Sequence, residues 1–451
     1  MRLLLISTNT NTQPFPVYPL GMAIIGSALT RSGHEVEQFD FLAAGQDENL
    51  LRARMAEFAP ECVCLSIRNL DNCDSFTATS YPVVAKRIVD LVRATCQVPV
   101  ILGGPAFSIL PRELLAYTGA DHGVIGEGES LICSLVEDLA AGRTPGPLHR
   151  SSSLIAGEAI PGAMLTQELV NFYLAESGMV NIQSKRGCPH GCVYCSYPNL
   201  EGRNYRAREP REVVEEMARA VADHGVERFF FTDSVFNDLG GHYLELAEEM
   251  LRRDLRSRWC CYLRPQGLGR KEVALLKRAG LYAAEMGTDG ASDTTLRALG
   301  KGFGFQEVLE VNRACVAERL PIAHFVMFGG PGETRATLEE GLANLQQLEQ
   351  TVVFAYAGIR ILPDTALYHR AIREGVLSPD CDLREPVFYQ SPTLASQIQE
   401  DLLTRAFRGK RDRFFPPSQA EARRSVLHRF GYRGLLWDSL IQFPPDNELP
   451  C

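Results

Sequence analysis

The chain has no apolar run of the length a membrane span requires, so no membrane partner is expected. It has no basic excess either. Lys and Arg total 46 against 55 Asp and Glu, a formal charge of −9, which argues against nucleic acid or an anionic membrane surface as the main partner. A disulfide framework is missing. The 13 cysteines are odd in number, and some, such as Cys62 and Cys64, sit in an apolar run where a thiol reads as a small buried hydrophobe. The opening run, Met1 to Ser7, is shorter than a signal-peptide core and no small-residue cleavage site follows it. A soluble, cytoplasmic protein is the expectation.

What is present is a folding composition, 45% hydrophobic and 22% charged, over 451 residues. That length exceeds one hydrophobic core and predicts two or three domains. In the first half, apolar runs at 3–6, 36–39, 62–67, 98–102 and 121–125 alternate with helical stretches. Pro19 opens the first of these helices and Gly33 closes it. The alternation predicts a parallel, doubly wound α/β sheet over residues 1–143. Such sheets bind ligands beyond the carboxyl ends of their strands. The candidate ligand loops therefore hold Thr8 and Asn9, Ser66 with Arg68 and Asn69, Gly103 and Gly104, and Gly126 and Glu127. Read from spacing alone, the same loops are equally ordinary strand-to-helix turns. Proline, glycine and serine break the pattern after Thr144, placing an inter-domain linker at 144–177.

The second half begins with VNIQSKRGCPHGCVYC, residues 180–195. Cys188, Cys192 and Cys195 form a Cys-x3-Cys-x2-Cys loop just after an expected strand. Three thiolates on one short loop can hold three corners of a [4Fe–4S] cluster and leave one iron open to substrate. Gly187 and Gly191 would let the loop curl. Zinc is the rival, with His190 as a fourth ligand, but His190 lies inside the loop and no second ligand pair follows. Five further strands are expected at 229–233, 259–263, 283–289, 325–333 and 356–363. Six strands with intervening helices predict a partial parallel (β/α)6 barrel over 178–370, its mouth lined by polar strand ends. A small, mostly helical cap is expected over 371–451. Its Arg405–Arg413 cluster reads as a solvated face or a site for an acidic substrate or carrier protein.

These motifs together resemble the cobalamin-dependent radical SAM family. The cysteine loop matches that superfamily's signature, and Tyr194 matches the aromatic that packs near the adenine. VYPLGMA around Tyr18, LGGP at Gly103 and GEGE at Gly126 look like stretches that recur in the family's cobalamin domain. The resemblance covers about residues 1–390. It implies a Rossmann-like cobalamin-binding domain before the barrel, with a [4Fe–4S] cluster, S-adenosylmethionine and cobalamin as cofactors.

One departure stands out: no Asp-x-His-x-x-Gly motif supplies a histidine to cobalt. Arg68 at the third strand end is similar to the arginine beneath the cobalt in one C-methyltransferase of the family, with a salt bridge to Asp71 or Asp74 as its bland alternative. The resemblance further implies that Asp233, Arg264, Asp289, Gly329, Gly330 and Arg360 hold S-adenosylmethionine. Arg68, Tyr194 and Glu285 are the expected catalytic residues, Glu285 as a base or as a neighbour of the open iron. The implied activity moves a methyl group from S-adenosylmethionine through cobalamin to an unactivated or aromatic carbon of a small natural-product intermediate, free or tethered to a carrier protein. The route could be radical or polar. An external donor such as flavodoxin or ferredoxin would supply electrons. The alternatives are a cobalamin-assisted rearrangement or cyclisation, or a non-catalytic iron–sulfur redox protein.

Overall fold

A computed structural model describes residues 1–441 and residue 443. The first sheet comprises β1 (Arg2–Ser7), β2 (Glu35–Asp40), β3 (Cys62–Ser66), β4 (Val100–Gly103), β5 (His122–Ile125) and β6 (Leu148–Arg150). All neighbours are parallel, in the order β2-β1-β3-β4-β5-β6. Strands of such a sheet are buried on both faces, hence their unbroken apolar runs. Leu3 and Leu5 enter one core cluster, whereas Leu4 and Ile6 enter another on the opposite face. Cys62 and Cys64 alternate with Val63 and Leu65 in the same way, so these thiols are core residues.

The stretch expected to be a bare linker is structured. β6 extends the sheet beside β5, and Gln167–Glu176 is a helix. Three residues flanked by Pro145 and Pro147 carry too little periodicity to announce a strand; pairing with β5 makes it one.

After β7 (Val180–Ile182) comes a two-stranded antiparallel hairpin, β8 (Lys185–Arg186) and β9 (Arg206–Ala207), that brackets the cysteine loop. The second sheet continues with β10 (Arg228–Phe231), β11 (Arg258–Leu263), β12 (Leu281–Asp289), β13 (Ile322–Phe328) and β14 (Val352–Ala357). These six strands lie side by side in chain order, all parallel, as in a partial barrel. Two expected strands are displaced towards the N-terminus. Residues 329–333 form a turn after β13, and β15 (Ile359–Arg360) leaves the sheet to pair with β16 (Phe388–Tyr389).

The C-terminal region is more than a helical cap. Helices Ser396–Phe407 and Gln419–Arg429 flank β17 (Arg413–Phe414), which adds a seventh strand beside β14. The end of that expected region, 442 and 444–451, lies outside the described residues.

The helix Pro210–His224 shows why these segments fold locally. Proline occupies its first turn, Val213, Val214, Met217 and Ala220 bury one face, and Gly225 ends it at φ +69°. Phe229, Phe230 and Phe231 of β10 are fully buried, each worth about 2 kcal/mol of hydrophobic stabilisation. Among the described residues no helix is long and apolar enough to cross a membrane.

Candidate active site

The carboxyl ends of β1, β3, β4 and β5 open onto a cleft with about 1760 Å³ of non-atom space. It lies at the switch point where β1 is flanked by β2 and β3, the usual ligand position in such sheets. Asn9, Ser66, Arg68, Asn69, Gly103, Gly104, Gly126 and Glu127 line it. The facing wall comes from the second half: Gln183, Arg186, Tyr197, Leu200, Glu201 and Tyr262.

Gly104 has φ +98°, and a Cβ there would stand 2.6 Å from the Ile67 carbonyl oxygen. Only glycine lets this turn pass so close to the loop after β3. Thr8 is not part of the lining. It is buried and its hydroxyl donates to the Ser66 carbonyl at 3.1 Å.

Arg68 makes no hydrogen bond or ion pair among the described residues. Its two expected salt-bridge partners are occupied. Asp71 pairs with Arg360 at 2.6 Å, and Asp74 accepts the Phe76 amide at 2.9 Å and the Thr77 hydroxyl at 2.8 Å. The guanidinium is half-buried and its charge reaches the phenols of Tyr197 and Tyr262. There it pulls against burial, which raises both.

Glu127 has a structural task besides lining the cleft. Its carboxylate pairs with Arg206 at 2.6 Å and Arg186 at 3.2 Å, and accepts the Ile155 amide at 2.8 Å. Burial pushes this carboxyl up, but the Arg206, Ile155 and Arg186 interactions outweigh it and hold it below the usual range. Glu129 adds a second contact to Arg186 at 2.6 Å. The loop therefore clamps the β8–β9 hairpin, which carries the cysteines.

Gly187, just before Cys188, has φ +87°, and any Cβ would run into the Asn204 carbonyl. Gly191 carries no such constraint: a Cβ there would have nothing within 4 Å. The cysteine loop is pinned by amide bonds from Cys188 to the Gly202 carbonyl and from Val193 to the Leu299 carbonyl, both 3.1 Å. All three thiols are free, Cys188 buried and the other two partly so. Burial raises Cys188 and pushes Cys195 up to about 12; the neighbouring thiols add to this, while Lys301 opposes it at both. Arg264 also opposes it at Cys188.

Three mutually close thiols beside two cations suit a cluster that binds them as thiolates. Zinc finds less support. His190 Nε2 lies 3.4 Å from the Tyr205 hydroxyl.

The polar strand ends of the second sheet are mostly committed to the protein. Asp233 is fully buried and accepts the Ser184 amide at 2.7 Å, the Ser184 hydroxyl, and the Lys185 amide at 3.3 Å. It locks the β7–β8 turn and offers nothing to S-adenosylmethionine. Arg360 is likewise consumed, by Asp71 and by the carbonyls of Ile361 at 2.6 Å and Leu383 at 2.8 Å. The Gly329 amide donates to Glu333, and Gln390 occupies the space beside Gly329, while Gly330 packs near Ile359. That turn is closed on itself. Burial pushes the Glu333 carboxyl up to about 7 against the pull of the two glycine amides.

Asp289 accepts the Tyr194 hydroxyl at 2.5 Å and also binds Lys301, so both expected residues belong to one network beside the cysteine loop. Arg264 binds Gln266 at 2.8 Å and lies over Phe303 at 4.8 Å, close enough to act on Cys188.

Glu285 is different. It is buried, its Oε1 has no hydrogen-bond partner, and burial pushes it up to about 8. Tyr262 and Lys301 were not expected at the site. Period-two alternation along β11 puts Cys260, Tyr262 and Arg264 on one face, a signal that could have revealed Tyr262.

Two family models match the chain: the B12 binding domain over residues 6–136 and the radical SAM superfamily over 182–343. The tryptophan 2-C-methyltransferase of Streptomyces laurentii is 26% identical over 434 residues, 79% of this chain and 72% of that protein. The hopanoid C-3 methylase of Methylococcus capsulatus is 26% identical over 332 residues, 66% of this chain and 58% of that protein. Among solved structures, the radical S-adenosylmethionine methyltransferase TsrM of Kitasatospora setae, with cobalamin and a [4Fe–4S] cluster bound, superposes with a TM-score of 0.83. It is 23% identical, with 97% of each chain covered, a likeness of fold.

Proposed function

We infer that this chain, a member of the cobalamin-dependent radical SAM methyltransferase family, methylates a carbon atom of a small molecule. When bound, the cluster, S-adenosylmethionine and cobalamin supply one-electron chemistry and a methyl carrier. The observation that carries the reading is the shared wall of the cleft. One side is the glycine loops and Arg68 of the first sheet. The other includes Tyr197 and Leu200 on the helix Tyr197–Glu201, which starts two residues after Cys195. A cofactor in the cleft would thus lie against the segment that holds the cluster.

The chain's residues divide the work. Cys188, Cys192 and Cys195 hold the cluster, and Lys301 and Arg264 offset the charge of its thiolates. Gly103, Gly104 and Gly126 allow close backbone approach along the cleft floor, where Asn9, Ser66 and Asn69 offer polar contacts. Arg68 presents an unneutralised cation to the cleft, where its positive charge would favour an electron-rich methyl carrier. Tyr194, fixed by Asp289, closes the cluster side. Replacing hydrogen by methyl at a ring carbon releases a proton. Glu285, unbonded at Oε1, would take it in its carboxylate form, which burial makes more basic by raising the group to about 8. An external one-electron donor of the flavodoxin or ferredoxin type completes the system, and the acceptor is free or tethered to a carrier protein.

The test is anaerobic. Reconstituted, reduced protein with cobalamin and S-adenosylmethionine should release S-adenosylhomocysteine as the carrier is methylated. A protein that assembles its cluster yet shows no affinity for cobalamin would overturn the reading.

A further inference from the structure

Glu285 acts electrostatically on a tyrosine of the cleft and on a tyrosine of a second cavity. Burial raises the phenols of Tyr262 and Tyr356, and Glu285 adds to both; Tyr262 lines the cleft and Tyr356 the other cavity. This second space, open to solvent, lies between the barrel interior, the loop after β1, and the C-terminal region.

Its walls are aromatic. Phe325 and Phe354 stack at 5.1 Å with planes 12° apart. Phe354 continues the stack onto Phe414 of β17 at 5.2 Å, and meets Trp437 at 5.3 Å and 60°. Trp437 is only 6% exposed, and its indole Nε1 has no hydrogen-bond partner among the described residues. The chain's other tryptophan, Trp259, is satisfied by the Ala279 carbonyl at 2.7 Å. A buried indole N–H is normally paired, so one that lines a cavity marks a position for an acceptor.

The charge at the cavity is suited to an anion. Arg423 and Arg424 both line it from the helix Gln419–Arg429. Arg423 lies over Phe414 at 5.4 Å and spends a donor on the Arg411 carbonyl, out of the five a guanidinium carries. Among the described residues the one carboxylate in the lining, Asp74, is already bonded within its own loop.

We propose that this chamber is the acceptor's binding site and that it takes a planar aromatic carboxylate. The flat ring lies against the stacked phenylalanines, and the carboxylate meets the Trp437 N–H and Arg423. Calling the occupant an acceptor rests on the methyltransferase reading; the binding chemistry does not.

Calorimetry on the holoenzyme tests the proposal with three probes: quinoline-2-carboxylate, quinoline and cyclohexanecarboxylate. The first should bind one to one. Loss of the carboxylate or of the aromatic ring should weaken binding about ten-fold, and Trp437→Phe and Arg423→Gln should each weaken quinoline-2-carboxylate five- to ten-fold, about what one hydrogen bond or charge contact supplies. Retained cobalamin and an unchanged visible spectrum show that the variants fold. Should Trp437→Phe lose cobalamin, Arg423→Gln and Phe325→Leu carry the test. Equal affinity for the three probes, wild-type affinity in the variants, or displacement of cobalamin by the probe would overturn the proposal. S-adenosylhomocysteine release without acceptor is measured on the same preparation. If it is absent while the probe binds as expected, the methyltransferase reading falls and the chamber stands.

Discussion

At the carboxyl edge of the first sheet, Arg68 stands without a partner and Gly104 keeps a turn open. At the same edge of the second sheet, Asp233, Asp289 and Arg360 each hold two or more protein groups. Polar residues at strand ends look alike in both. What separates them is satisfaction: a buried polar group already bonded within the protein has little left for a ligand, whereas one facing a cavity unbonded does. In the first sheet Arg68 and the glycine turns face the cleft unbonded, whereas Thr8 and Glu127 are held within the protein. In the second, availability has moved inward, to Glu285 and the aromatic interior.

The largest effect that bears on this contrast is at the cysteines, where the second region does keep groups for a cofactor. Cys188→Ala should abolish the visible absorption of the cluster and with it all turnover. A variant that retained both would remove the basis for the comparison.

The committed residues should behave oppositely. Asp71→Asn leaves Arg360 buried and unpaired, and should lower unfolding stability by about 3–5 kcal/mol in a denaturant titration. At temperatures where the variant stays folded, its S-adenosylmethionine affinity should match wild type. A selective loss of that affinity with stability intact would put this pair back at the ligand.

Arg68→Gln should do the reverse. Nothing in the fold leans on that side chain, so stability should stay within about 0.5 kcal/mol. Methyl transfer should slow about ten-fold, a change of about 1.4 kcal/mol in the barrier. Optical spectra of bound cobalamin should also report a changed lower face.

A further effect concerns Glu285. Its carboxyl ionises at an ordinary value of 4.5 when unfolded, but keeps its proton up to about 8 in the folded protein. The folded state therefore binds more protons across that window, and this residue's contribution to stability falls as pH rises from about 4.5 to about 8. Glu285→Gln should flatten that slope in urea melts taken at pH 5 and pH 8. An unaltered slope would mean that the carboxyl ionises normally.

The cysteine loop was legible because its chemistry is local: three thiols and Gly187 lie within nine consecutive residues. Most strands were legible as well, since parallel strands must be apolar on both faces. β6 and β17 were not. Each is two or three residues long and becomes a strand only through pairing with β5 or β14. Asp233 and Arg360 were placed at the ligand because a carboxylate or guanidinium at a strand end has the same sequence signature whether it caps a turn or grips a cofactor. Arg360 meets Asp71 across 289 positions of chain, and no periodicity encodes that. Trp437 was invisible for the same reason: its significance is a missing partner.

The clamp made by Glu127 and Glu129 on Arg186 and Arg206 has a further consequence. It joins the floor of the cleft to the hairpin that presents the cysteines, and its members are at most 14% exposed. Surface ion pairs weaken as mobile ions accumulate around them, whereas enclosed pairs are shielded from that atmosphere. The separation between the cleft floor and the cysteine hairpin should thus be indifferent to ionic strength, so that changes in the surrounding salt leave unaltered the distance across which the two halves face each other.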